Sequence, residues 1–330
     1  MSLHDPEGTS EMGTGRRLTR EAQAGQAQAE PTDPLVVEQA VPGPTKTPLY
    51  QAHNAARYQR QAEIKAIQEK TGRLLVCYVA GSHAPIDRDD AIGFVDLLHN
   101  IKPNCDLDLL LHTGGGDIDA AEKLNSIVRA KVGTGTLRVI VPDYAKSAGT
   151  LMALGADKIV MSETSELGPI DPQITLTDGS GNRISTPVLS YIEAYRIHSA
   201  ALAADPNDVV AQLMLSKIDP ARLVLFNAAV DRATRFAENQ LKRGMFRNEG
   251  NWSAAASQLL DPKRWQSHGQ MISWSDAAHE SIGLVVEYME PESELWQRYW
   301  QLYTYQRLAI KDPQKLFESE FASLVIDSGS

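Results

Sequence analysis

"VIVPDYAKSAGTLMALGADKIV", from Val139 to Val160, packs a strand, a turn, a helix and a second strand into one short span. Val139, Ile140 and Val141 form a β-branched run that ends at Pro142, which cannot donate to a sheet ladder. Ser147 then opens a run of small helix-compatible residues, and "DKIVMS", from Asp157 to Ser162, reads as the next strand. Strand, helix, strand in this order predicts a parallel sheet with helical crossovers. The serine at the head of the helix has two readings. Its hydroxyl can cap the helix, or it can stand exposed as a nucleophile where free helix amides can hold an oxyanion.

The same alternation extends outward. "RLLVCYVAG" (73–81) and "DLDLLLHTGGG" (106–116) read as strands, while "DRDDAIGFVDLLHNI" (87–101) and "DAAEKLNSIVRAK" (119–131) read as helices. Upstream, Tyr50, Ala55, Tyr58, Ala62 and Ile64 recur at helical spacing, with Gly72 as a stop. After "LGPIDPQI" (167–174), "LTDGSGNRIS" (176–185) is a turn-rich loop or hairpin, and the rest of the chain is mainly helical. The predicted class is α/β, with a mostly parallel sheet, right-handed crossovers and a helical C-terminal part. Ligands gather at the carboxyl edge of such sheets. "TGGG" and "YAKSAG" are both strand-to-helix junctions and can share that edge.

The 330 residues are 42% hydrophobic and 22% charged, ordinary for a globular chain, and the formal net charge of -10 argues against a general nucleic-acid binder. Cys77 and Cys105 make neither a disulfide framework nor a metal pattern, and HExxH is absent. The start, "MSLHDPEGTSEMGTGRR", lacks a signal-peptide core, and no apolar run is long enough to span a bilayer. A cytoplasmic location with no transmembrane segment is expected. Residues 1–47, rich in Gly, Pro, Gln, Thr and Glu, read as a disordered tail. Residues 48–290 form the expected main domain, and 291–330 a C-terminal helix and tail.

"HTGGGD" lets backbone amides approach a ligand. It is not GxGxxG, no GK[ST] follows, and Asp117 would repel a phosphate, so a tight turn or an oxyanion hole remains.

"LLLHTGGGDIDAAEKL", "VIVPDYAKSAGTLMALGADKIVMS" and "LGPIDPQI" together resemble the serine dehydrogenase proteinase family, relatives of the Clp protease proteolytic subunit and signal peptide peptidase A. The resemblance runs from about Pro48 to Glu290. It implies the ClpP/crotonase fold and a serine peptidase acting through an acyl-enzyme. Carried over residue by residue, it makes Ser147 the nucleophile, with the amides of Gly116 and Ala148 as the oxyanion hole. Asp171 matches the acid, and His268, in "WQSHGQMISWSDAAHESIGLVV", matches the histidine segment. The chain departs from the pattern at Gly114, where proline is usual, and at Lys146, where methionine is usual, beside the nucleophile.

Plainer readings stand beside these. His268 can be a surface loop residue, Asp171 a turn residue and His112 a polar strand end. Lys217 can serve as an alternative base, in the Ser–Lys dyad of signal peptide peptidase A relatives, or be a solvated charge at a helix end. The expected partners are a peptide or unfolded protein substrate and further copies of the chain in a homo-oligomer. No cofactor or metal is required. An inactive scaffold and an acyl-CoA enzyme of the same fold are the competing classes.

Overall fold

Near-continuous apolar runs suit strands covered on both faces, and the chain supplies them in the computed structural model, which describes residues 46–177, 180–181, 183–248 and 250–328. The tail expected over residues 1–47 lies, Lys46 and Thr47 apart, outside the described residues. Helix α1 (Pro48–His53) leads into α2 (Ala55–Thr71), which stops at Gly72 in the left-handed region, φ 69°. There follow β1 (Leu74–Ala80), α3 (Asp90–Leu97), β2 (Leu107–His112), α4 (Ile118–Val132), β3 (Leu137–Ile140), β4 (Tyr144–Ala145), α5 (Ala148–Ala153), β5 (Lys158–Met161) and β6 (Glu166–Leu167). A hairpin of β7 (Gln173–Thr177) and β8 (Arg183–Pro187) precedes α6 (Val188–Ala204), α7 (Val209–Ser216) and α8 (Pro220–Arg243). The chain continues through α9 (Trp252–Leu259), α10 (Trp274–Ala278), β9 (Val286–Tyr288), α11 (Glu294–Leu308), β10 (Gln314–Ser319) and β11 (Ser323–Asp327).

The main sheet has the order β11-β10-β1-β2-β3-β5-β9. β1, β2, β3, β5 and β9 run parallel, while β10 and β11 are antiparallel additions on one edge. This is the mostly parallel α/β architecture that the alternating runs predict. Alternate strand residues face opposite layers. Val76, Tyr78, Leu109, Leu111 and Val139 pack against α3, α4 and α5, whereas Cys77, Val79, Leu110 and Ile140 pack against α2 and α11.

The C-terminal segment departs from the expectation of a helix and tail over 291–330. α11 buries Trp296, Tyr299 and Leu302 on the sheet, and β10 pairs with the first strand through Val76↔Ser319 to Ala80↔Lys315. Charged residues hid this strand in the sequence. Lys315 and Glu318 are buried, and each is compensated: Lys315 Nζ lies 2.7 Å from Asp90 Oδ1, and Glu318 receives two 2.8 Å bonds from Arg60. Buried charges survive only when paired in this way.

Candidate active site

The two junctions read from the sequence meet. Thr113 N donates to Tyr144 O (3.1 Å) and Lys146 N to Thr113 O (3.0 Å), so the glycine turn and the serine turn are stitched together at the end of β2. The fit is close. A Cβ on Gly115 would fall 2.7 Å from Lys146 O and 2.8 Å from Ser147 Cβ, and one on Gly116 would fall 2.4 Å from Ile86 N and O. Gly114, by contrast, has nothing within 4 Å of such an atom.

Ser147 precedes α5 with φ 52° and ψ -116°, outside the ordinary N-cap region, and its side chain makes no capping bond. The capping reading therefore fails. A non-glycine residue in this conformation costs on the order of 1–3 kcal/mol and persists only where its surroundings over-determine it. Here the fixed backbone of Lys146 and the apposed glycines do so. Among the described residues, the amides of Gly116 and Ala148 have no protein acceptor. The Gly115 amide is taken by the Thr113 hydroxyl at 3.1 Å.

Ser147, Gly116, Asp117, Pro172 and His268 line one cleft of about 410 Å3. His268 Nδ1 lies 3.7 Å from Asp171 Oδ2, a charge-pair distance rather than a hydrogen bond, and Nδ1 and Asp171 Oδ1 are otherwise unpartnered. The fold thus brings Ser147, Gly116 and His268 to one cleft, with Asp171 behind the imidazole. Asp117, on the wall of this cleft, also accepts from Ala120 N at 2.8 Å and caps α4.

Lys217 is not brought there. It ends α7, exposed, and does not line the cleft. His112 is buried beside Tyr144 and Tyr303, and burial, with Arg307 nearby, pushes its imidazole down to about 3, so it stays neutral. Its neighbour Asp143 is engaged by Tyr303 at 2.6 Å.

Residues 85–232 match the ClpP-like SDH-type serine proteinases. The matched segment is under half of the chain, and it is this segment that resembles the family. Ser147, Gly116 and Asp171 lie inside the matched segment, whereas His268 lies beyond it. Two relatives from Methanocaldococcus jannaschii, both titled uncharacterized, are similar over shorter stretches. MJ0137 is 31% identical over 186 residues (56% of this chain, 55% of that protein), and MJ1495 is 38% identical over 89 residues, 27% of each chain. The chain therefore spans about half the length of the first relative and about a quarter of the second. Among solved structures, two mutants of the 1510-N membrane-bound stomatin-specific protease are similar at 15% identity and a TM-score of 0.28. They cover 67% and 71% of this chain, over 99% and 98% of their own lengths, and the second holds a substrate peptide. A likeness this slight transfers no residue.

Sequence reasoning missed the buried Thr150. Its hydroxyl accepts from Gly168 N at 3.0 Å and lies 2.8 Å from Ala145 O, tying helix α5 to the Gly168–Asp171 segment. A threonine one turn after the serine, in "SAGT", was the available signal.

Proposed function

We propose that this chain is a serine endopeptidase, with Ser147 attacking the peptide carbonyl and His268, oriented by Asp171, taking and returning the proton. The Gly116 and Ala148 amides receive the oxyanion. The observation that carries this reading is the strained, uncapped Ser147 in one cleft with Gly116 and His268. Serine hydroxyls need an adjacent base to become nucleophilic, and the base needs a third group to orient it. An acyl-CoA enzyme gives no reason for a strained serine at the helix head. The reaction balances without a redox partner: serine gives its proton to the imidazole, the amine leaves with that proton, and water cleaves the ester. The direct test is incubation with an unfolded protein and mass analysis of the fragments. Internal cleavage that an irreversible serine-directed inhibitor blocks supports the reading, and an intact substrate under all conditions contradicts it.

The oxyanion turn makes a sharper expectation. Removing one such donor costs roughly 10²–10³ in rate. Gly116→Ala forces a methyl onto the Ile86 backbone and is expected to lower hydrolysis by at least about that much. Gly114→Ala, whose methyl meets no protein atom although Gly114 also lines the cleft, should lose much less than Gly116→Ala. Equal losses in the two variants would count against Gly116 as the donor.

The same reading includes a homo-oligomer in the cytoplasm. Among the described residues, no helix is long and apolar enough to cross a membrane. α7 and α8 expose Val209, Val210, Leu213, Val224 and Leu225, while the aromatic face of α11 is spent on the chain's own sheet. Exposed apolar patches of this kind mark interaction surfaces. Light scattering coupled to size exclusion is expected to give a multiple of the 36.2 kDa chain mass, reduced by Leu213→Glu. A monomer with full activity removes the oligomer from the proposal.

A further inference from the structure

Lys146 adjoins the nucleophile, yet its side chain turns away into the protein. Its ammonium pairs with Glu166 and lies 3.4 Å from the carbonyl oxygens of Leu167, Gly269 and Gln270. The side chain is only 14% exposed, so this is no solvated surface charge. The stem is packed as well: a Cβ on Gly168 would fall 2.8 Å from Lys146 Cδ and 3.3 Å from its Cα and Cβ, so the two segments touch there.

These contacts join three stretches that are distant in sequence. Glu166 and Leu167 lead through Gly168 into Asp171, and Gly269 directly follows His268. The backbone already ties Leu167 to Ile272 by two 3.0 Å bonds, and β4 to β6 by parallel pairing. Residues 266–270, however, lie in a span without helix or strand, held by Gln270 N on Ser267 O (3.0 Å) and Gln266 N on Gln270 Oε1 (2.9 Å). Among the described residues, the polar ties from the serine turn to this histidine loop come from the Lys146 ammonium. Its own backbone is pinned at both ends, by Lys146 N on Thr113 O (3.0 Å) and Gly149 N on Lys146 O (2.7 Å).

We propose that Lys146 is a positioning residue that braces the His268 loop and the Glu166–Asp171 segment onto the serine turn. The proposal rests on the Ser147–His268–Asp171 reading above. A cation held by one carboxylate and three carbonyl dipoles fixes a direction as well as a distance, and misplacing a reacting group by about 1 Å can cost ~10²-fold in rate. The brace acts through the imidazole, so its loss slows the attack of Ser147 without removing the nucleophile.

Timed labelling of the full chain with a fluorophosphonate reads this step without a peptide to bind. Lys146→Met should reach the native end-point of labelling at a rate about 10–100-fold lower, and Lys146→Arg, which keeps the cation, should recover most of the rate. In a His268→Ala background, Lys146→Met should add no further loss, since groups acting as one unit are not additive. A native rate in Lys146→Met, or the same proportional loss with and without His268, overturns the brace. If Lys146→Met does not fold, Glu166→Gln decides, with a smaller loss in the same direction expected and a native rate overturning the proposal. Ser147→Ala separates the two levels. If it labels like the native chain, the serine peptidase reading fails; if it is silent while Lys146→Met reacts at the native rate, the brace alone fails.

Discussion

Ser147→Ala is expected to abolish peptide hydrolysis, with a loss on the order of 10⁶-fold, while leaving thermal stability within about 0.5 kcal/mol of the native chain. The stability half of this result is as informative as the activity half. Had Ser147 been a helix cap, its loss would cost about 1 kcal/mol. The side chain makes no capping bond, and alanine inherits the same unfavourable backbone region, so neither a cap nor strain relief changes. Ser147→Gly, which tolerates φ 52°, should if anything stabilise the fold by about 1 kcal/mol while equally dead. Denaturation midpoints and hydrolysis rates of the two variants check the pair. An alanine variant that loses a kilocalorie and keeps its activity returns Ser147 to a capping role.

The second large effect separates the two candidate bases. His268→Ala should lower hydrolysis by a similar order, about 10⁶-fold, and Asp171→Asn by about 10⁴-fold, because a serine without its base or a base without its orienting carboxylate loses most of its activation. Lys217→Ala should leave the rate unchanged, since Lys217 is exposed at the end of α7 and outside the cleft that Ser147 and His268 share. A dead Lys217→Ala beside a normal His268→Ala would instead install the lysine dyad, which requires a second copy of the chain or a moved α7 to bring the ammonium in.

What could be read from the sequence follows what local physics encodes. β1, β2, β3 and β5 are short apolar runs bounded by glycines or turns, and Gly72 marks a helix end through its left-handed backbone geometry. The convergence of "TGGG" and "YAKSAG" was legible because parallel sheets put successive strand ends on one edge. Three features were not legible. Strand β10 carries Lys315 and Glu318 inward, so its pattern reads as polar, and the compensating Asp90 and Arg60 lie more than two hundred residues away in the chain. The strain at Ser147 depends on glycines supplied by a different strand. Lys146 looks like a departure beside Ser147, and the brace proposed for it rests on Glu166 and the 269–270 carbonyls that the fold brings against it.

The most direct measurement is mass mapping of the adduct formed when the full chain meets a fluorophosphonate at neutral pH. A strained serine that shares a cleft with an imidazole and two unspent amides should take the label once per chain, on the peptide that contains Ser147, and unlabelled chain should cleave an unfolded protein that labelled chain does not. An adduct on another residue, or cleavage that persists when Ser147 is fully modified, would contradict the assignment of Ser147 as the nucleophile.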